Sequence, residues 1–550
     1  MSARDAPGGA RAASRPSATL RHATVGAALT AIVVAAGYLH TLRYPLHFDD
    51  FDWIRDNAAL APPLDLAAIW DFRPSRFVAD LTFALNRATT GASPASYRAT
   101  NLLIHWLAAL LVGWIAAELA RASLRREPAS AGRRAPASPA TLGLAAALLF
   151  AAHPLATQSV TYLTQRITSL AALFVLASTV AFLRARRAGG MAWWAASWCL
   201  ALAAAFTKEM AVSLPAALVG MEAWLRSARA PGRAGALRLT PYFLMVPLVV
   251  WAAQHPLGPE RLVAGGLRET ADIGRAEYLL TQLTVIPRYL SLGLWPAGQC
   301  LDPVPPLHAS PDAAVLAGAS LLAALTVAAA ALRTRLPLAL PGWGWFLVTL
   351  APESSLIPIR DLMTEQRAYL PLAGLCWVAA GAVGALSPRT VRSAATVALV
   401  VALTAATHAR NRVWRDELSL WSDSVAKSPG SARAQNNLGL ALEAAGRNAA
   451  AESAFGAALR DEPAHVFARV NLGRLYGESR RLDEAVGVLS AADSLSPGDP
   501  LVLNNLATAW WMKGDTARAA ALYQRALEAA PGTPYAAANL ARMRRGLPPR

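Results

Sequence analysis

Apolar residues gather in blocks of roughly 16–22, about the length an α-helix needs to cross the hydrocarbon of a bilayer. The blocks cover residues 24–41, 101–119, 141–158, 168–183, 191–206, 210–225, 240–255, 313–332, 337–351, 369–386 and 393–409. Only 16% of the 550 residues are charged, against about 25% in a soluble domain, and that deficit is what burial in lipid requires. The pattern predicts an all-α protein. A disordered, basic, cytoplasmic segment (1–23) precedes a polytopic membrane helix bundle of about 11 spans (24–410), and a separate helical domain (411–550) follows.

The net charge of +17 is carried almost wholly by arginine, since Lys208, Lys427 and Lys513 are the only lysines. The arginines sit in short loops between apolar blocks: 121–140, 184–190, 226–238, Arg333–Arg335 and Arg389–Arg392. Basic loops of that length stay on the cytoplasmic side, so the charge reads as topology and not as a nucleic-acid surface. With the basic N-terminus inside, all five loops alternate onto the cytoplasmic face if 276–297, broken by Pro287 and Arg288, is interfacial or re-entrant. The apolar run Thr24–Tyr38 is followed by the bulky, aspartate-rich Leu42–Asn57 with no small-residue cleavage site; it reads as an uncleaved span, not a signal peptide. Cys199, Cys300 and Cys376 have neither disulfide-framework nor zinc spacing.

Asn437, Asn471, Asn505 and Asn539, each followed by leucine, recur every 34 residues, as do Pro429, Pro463, Pro497 and Pro531, and Ala451, Ala485 and Ala519. A small residue inside the second helix and a proline closing each 34-residue unit form the tetratricopeptide signature. Small residues let paired helices approach, and proline stops the second helix. Repeats are expected at about 432–465, 466–499 and 500–533, with Leu418–Ser428 and Pro534–Arg545 as caps. Such a solenoid presents a groove for an extended polypeptide; a rigid spacer without ligand is the plainer alternative.

The assumed topology leaves the polar, arginine-poor motifs on the outer face: His47–Asp56, His153–Arg166, Lys208–Glu209 and Pro352–Arg367. Ionisable groups at membrane level are costly without a role or a partner. The adjacent Asp49 and Asp50, with His47 nearby, suit a general base or a divalent-cation ligand, although an acidic loop at a membrane surface is also commonly just solvated. Trp193, Trp194, Trp343 and Trp345 read as interfacial belt aromatics.

The motifs Phe48-Asp49-Asp50, Asn101-Leu-Leu-Ile-His105, His153-Pro154 with Gln165-Arg166, Lys208-Glu209 and Glu365-Gln-Arg-Ala-Tyr-Leu-Pro371 stand in that order ahead of the repeats. Together they resemble the multi-spanning GT-C glycosyltransferases, most closely the transmembrane and tetratricopeptide-repeat O-mannosyltransferases and their bacterial relatives. The resemblance implies inverting transfer of a sugar, mannose being one candidate, from a polyprenyl-phosphate carrier to a hydroxyl, commonly Ser or Thr of a protein held by the repeats. Asp49 or Asp50 would be the base, the other positioning the acceptor or a metal. Arg166, Lys208 and Arg367 would bind the donor phosphate, with His47, His153, Glu209 and Glu365 supporting. The lipid-linked sugar is then the donor substrate, and a divalent metal at Asp49 and Asp50 is the one candidate cofactor.

Plainer roles compete at each position. Arg166 and Lys208 can snorkel at helix ends, His105 can be a hydrogen-bonded core histidine, and His153-Pro154 can be a helix-end turn. Arg360 and Asp361 can pair within their loop. At the level of the whole chain the rival is a non-catalytic, membrane-anchored repeat scaffold for envelope proteins, which would need far fewer spans. The alanine and arginine bias suggests a GC-rich bacterial genome, and hence a multi-pass protein of the cell membrane with its N-terminus cytoplasmic and its repeats extracytoplasmic.

Overall fold

The computed structural model describes residues 18–126, 137–225, 238–254, 272–355, 358–532 and 534–548. Residues 1–17 and the loop arginines Arg133, Arg134, Arg226, Arg229 and Arg233 lie outside the described residues. Among the described residues every regular element is helical. The first helix, Ala18–Tyr38, begins within the 1–23 segment.

Among the described residues, six helices are long and apolar enough to cross a membrane: Ala23–Arg43, Pro94–Ser123, Leu163–Ala188, Ala313–Thr334, Glu365–Gly384 and Arg389–Arg415. The pair Pro139–Ala152 and Pro154–Thr161, bent by 54°, makes a seventh. The bend falls where Pro154 removes a backbone donor. Blocks 191–206, 210–225, 240–255 and 337–351 form shorter helices: Met191–Ala205, Leu214–Leu225, Met245–Gln254 and Ala339–Leu350. By length and composition, six of the eleven expected spans are single long helices among the described residues, and the bent pair makes a seventh.

Glycines set the closest contacts of the bundle. A Cβ at Gly113 or Gly143 would lie 2.6 Å from the other's carbonyl oxygen, and Gly342 and Gly374 face each other in the same way. Bare backbones let these helix pairs pack without a large side-chain layer, as small residues do between membrane helices. The tryptophans serve the interior more than a belt. Trp345 donates to the Leu370 carbonyl at 3.0 Å and Trp343 to Thr326 Oγ1 at 2.9 Å, and Trp194 is buried against Phe182. Of the four expected in the belt, only Trp193 is exposed.

The bundle has two unlike ends. At one, Arg121 and Arg187 share Glu118, Arg186 pairs with Glu222, and Arg392 reaches the Gly384 carbonyl. The other end holds His47, Asp50, Lys208, Glu353 and Glu365. The helix Arg275–Leu294 starts and finishes there: Tyr278 donates to the Glu353 carbonyl, and Gln299 and Cys300, just beyond its end, bond Glu365. It lies across one end of the bundle.

The C-terminal region is built of helix pairs beginning at Ala432, Val466 and Pro500, with Glu417–Lys427 before and Pro534–Arg544 after. Gly439 and Gly473 are required inside their pairs, since a Cβ would meet the Phe455 ring at 2.4 Å and Leu489 at 2.5 Å. Neighbouring units are tied by Asn471 to Asn436, Asn539 to Asn504, and Arg474 to Glu443.

This solenoid is seated on the same end of the bundle as His47 and Glu365. Phe48 stacks edge-on to Trp421 at 5.4 Å, Lys427 donates to the Gln299 carbonyl at 2.8 Å, and Arg433 binds Asp302 and Asp361. Asp361 thus pairs with Arg433 from the first repeat.

Candidate active site

After the first membrane helix the chain turns sharply at Phe48, whose φ of +46° is left-handed. A non-glycine residue there is unusual and costs energy; the Trp421 contact holds it in place. The turn points two adjacent carboxylates in different directions. Asp50 is wholly buried and accepts three bonds, from the backbone N–H of His47 at 3.1 Å, the N–H of Thr164 at 2.9 Å and the hydroxyl of Thr164 at 2.6 Å. Burial still pushes its pKa above the ordinary carboxylate value, against those bonds.

Asp49 is only partly buried. Burial raises its carboxyl to about 6; the Tyr162 hydroxyl and the charge of Arg433 oppose the rise, while Asp50 and Asp52 add to it. Its backbone N–H also donates to the Tyr162 oxygen at 3.2 Å. Asp49 is therefore the more open member of the pair, and Asp50 fixes the loop to the segment that follows the bent helix. A carboxylate with a pKa near working pH suits proton abstraction.

His47 braces the loop from the other side. Its ring nitrogens face Glu417 Oε1 at 2.9 Å and the Trp414 carbonyl at 2.7 Å, so it links the aspartate loop to the approach to the repeats. Arg98, which sequence reasoning missed, is completely buried and donates to the Tyr44 and Pro45 carbonyls. Its only sequence signal is an arginine at the start of an apolar helix.

A cationic cluster gathers around Glu353. The Lys208 ammonium lies 3.0 Å from Glu353 Oε1 and donates to Thr168 Oγ1 at 3.1 Å. Burial pushes the Glu353 carboxyl up, but Lys208 and Arg367 beside it outweigh burial and hold it below the ordinary range. Burial lowers Lys208 from its usual value, Glu353 opposing. Arg76, also close enough to act on both, pairs with Glu209 at 2.6 Å. Arg367 is 5% exposed, and its Nη1 is buried without a hydrogen-bond partner, as is Nη1 of Arg76. Unpartnered buried guanidinium nitrogens leave donors for an anion.

The remaining expected site residues stand elsewhere. Arg166 is fully buried and spends its guanidinium on Asn101 Oδ1 (2.7 Å), Asn86 Oδ1 (2.8 Å), Thr82 Oγ1 (3.3 Å) and the Tyr97 carbonyl (2.9 Å), over the Phe83 ring at 4.1 Å. That is an interior clamp, committing four of its five N–H donors to the protein. Glu365 brackets the loop at Gln299 and Cys300. His153 accepts from the Leu155 N–H and bonds the Gly293 carbonyl at 3.0 Å, while His105 meets the Tyr369 hydroxyl at 2.8 Å. Both histidines join helices.

Segment Tyr162–Thr168 is the hub. Tyr162 and Thr164 contact the aspartates, and Thr168 holds Lys208. Among the described residues no group of three or more His, Cys, Asp or Glu could hold a metal ion. The Asp50 oxygens already accept three N–H and O–H bonds.

Three overlapping segments, 418–462, 436–500 and 470–534, match the tetratricopeptide repeat family. Over 84% of its length the chain is similar to Protein O-mannosyl-transferase Tmtc3 of Drosophila melanogaster (26% identity, 58% of that protein). It is likewise similar to Protein O-mannosyl-transferase TMTC3 of Mus musculus (25% identity, 54% of that protein). The chain thus spans a little over half the length of these curated relatives. Among solved structures, that of the MamA protein aligns with 24% of the chain at 22% identity and a TM-score of 0.20. The resemblance to the transmembrane and tetratricopeptide-repeat O-mannosyltransferases therefore runs through the membrane bundle as well as the repeats.

Proposed function

We propose that this chain is a membrane glycosyltransferase that moves a sugar, mannose by analogy with its relatives, from a polyprenyl-phosphate carrier to a Ser or Thr hydroxyl of a polypeptide. The observation that carries the reading is the contrast within the aspartate pair: Asp50 is saturated by three donors, whereas Asp49 is raised to about 6 and left partly open. An outward orientation of this end is supported by the arginine loops at the opposite one.

In this reading Asp49 takes the proton of the acceptor hydroxyl as its oxygen attacks the anomeric carbon. The bond from that carbon to the phosphate oxygen breaks with inversion, and the carrier leaves as polyprenyl phosphate. Charge builds on the phosphate during the step, so fixed cations near it lower the barrier. Lys208 and Arg367 are the cations assigned to it, with Arg76 at their side. Arg166 keeps the helix Arg166–Ala188 seated, and His47 and Arg98 hold the loop that carries the base. The repeats, seated beside that loop, would present the acceptor chain. No step requires a metal bound at Asp49 or Asp50.

The test is incubation of purified protein with polyprenyl-phosphate mannose and a Ser/Thr-rich envelope extract, followed by mass spectrometry of the products. Hexosylated peptide with the wild type and none with Asp49→Asn is expected. An Asp49→Asn variant as active as wild type would remove the proposed base. An inert wild type that still captures envelope proteins through its repeats would favour the scaffold.

A further inference from the structure

An apolar groove of about 570 Å³, lined by neither the aspartates nor the Lys208 cluster, runs along the bundle between the first and last membrane helices. Ile32 and Val33 form one wall and Val400 and Val401 the floor of the other, while His408 and Arg412 stand at its mouth. The two helices are little covered by protein: 28% and 11% of their apolar windows are buried. The groove therefore opens to lipid.

Its mouth is polar, cationic and under-bonded. The His40 ring lies 4.0 Å from that of His408, and Nε2 of His40 is buried without a partner. His408 uses Nδ1 on the Ala36 carbonyl at 3.1 Å, leaving its other nitrogen for something else. Arg412 makes no ion pair among the described residues, while the nearby Arg415 is paired with Asp416. From Val400 to Arg412 the wall rises about 18 Å, close to one leaflet of a hydrocarbon core about 30 Å thick. A chain lying in it would place its headgroup at the two imidazoles and the guanidinium.

We propose that this groove seats an anionic phospholipid, one acyl chain along the Val400 and Val401 wall and its phosphodiester against Arg412, His408 and His40. The occupant follows from the fit: one leaflet of apolar length, ending in donors and positive charge with no carboxylate of the protein set against Arg412. An uncharged or zwitterionic lipid would fill the apolar part equally well but would gain nothing at the mouth.

The experiment is native mass spectrometry of the full-length protein released from nanodiscs of phosphatidylglycerol and phosphatidylcholine in equal amounts. Wild type is expected to retain phosphatidylglycerol over phosphatidylcholine by on the order of tenfold, the scale of one charge-assisted contact. Arg412→Gln with His408→Gln should bring the ratio to near parity. Ala405→Trp, which fills the groove from its lipid-facing side, should reduce retention of both lipids and leaves the charges in place, so it tests the site even if the double variant misfolds. Equal retention of both lipids by wild type, or unchanged retention in the variants, would overturn the proposal. So would preferential loss of phosphatidylglycerol to added polyprenyl phosphate at equal concentration.

Discussion

Replacing the two neighbouring aspartates one at a time by asparagine should give opposite results. In Asp50→Asn the carboxamide offers one oxygen and one NH2 where the carboxylate offered two acceptors. If its oxygen faces Thr164, its NH2 points at the His47 N–H; if it is flipped, the Thr164 N–H is left without an acceptor. Either way one buried donor is lost, from a set bonded at 2.6, 2.9 and 3.1 Å. Losing a bond to a buried charged acceptor costs about 1.5–3 kcal/mol, and an unsatisfied buried donor falls in a similar range. Asp50→Asn should therefore lower the thermal midpoint of the detergent-solubilised protein by a clearly measurable margin. Asp49→Asn removes a carboxylate that burial already disfavours, so the midpoint should stay level or rise slightly. Transfer should fall by at least about 100-fold, the lower end for a lost general base. Thermal unfolding followed by fluorescence, with transfer assayed on the same preparations, separates the two. A stable Asp50→Asn variant, or an Asp49→Asn variant that keeps its activity, would refute the division of labour drawn from these contacts.

Other outcomes follow from the same geometry. Asp49 must be ionised to accept a proton, so kcat/KM should rise as pH passes upward through about 6 and level off above it. Arg433→Gln removes a charge that favours the ionised form and should move this limb to higher pH, as should Tyr162→Phe; an unmoved midpoint in both would count against Asp49 as the titrating group. Lys208→Met should destabilise the fold by about 3–5 kcal/mol by leaving Glu353 without its nearest partner. Adding Glu353→Met should restore most of the stability but not donor affinity, read as KM for the lipid-phosphate sugar. In the solenoid, Gly439→Ala pushes a methyl into the Phe455 ring. Overpacking of about 1–3 kcal/mol should exceed the gain of about 1 kcal/mol in helix propensity, visible as earlier proteolysis of the repeats.

How much of this was readable in the sequence depended on the range of the forces involved. The solenoid was legible because its period is local: Asn, Ala and Pro recur at 34 residues for a packing reason that recurs with them. The two-ended sorting of charge was legible because a bilayer imposes it one loop at a time. The motif residues were found, but not their partners. Arg166 looked like a phosphate ligand because nothing nearby in sequence foretells that Asn86, Tyr97 and Asn101 converge on it. Glu353 was overlooked for the same reason, since Lys208, which gives it meaning, belongs to a different helix pair. Arg433 lies inside a repeat, and its partners Asp302 and Asp361 are more than 70 residues away in sequence. The ends of apolar runs were less legible, because residues such as Glu209–Ser213 and Ala351–Glu353 leave the α-helix in tighter turns.

The account rests on the aspartate loop and the solenoid sharing one compartment, opposite the basic loops. The direct measurement is labelling of single cysteines in intact cells with a membrane-impermeant maleimide, in a protein whose Cys199, Cys300 and Cys376 have been replaced by serine. Asp56→Cys beside the aspartates and Ser494→Cys in the second repeat are both exposed, and both should be labelled from outside, whereas Arg389→Cys should react only after the cells are opened. Labelling of Asp56→Cys and Ser494→Cys from opposite sides, or of Arg389→Cys alone from outside, would contradict it.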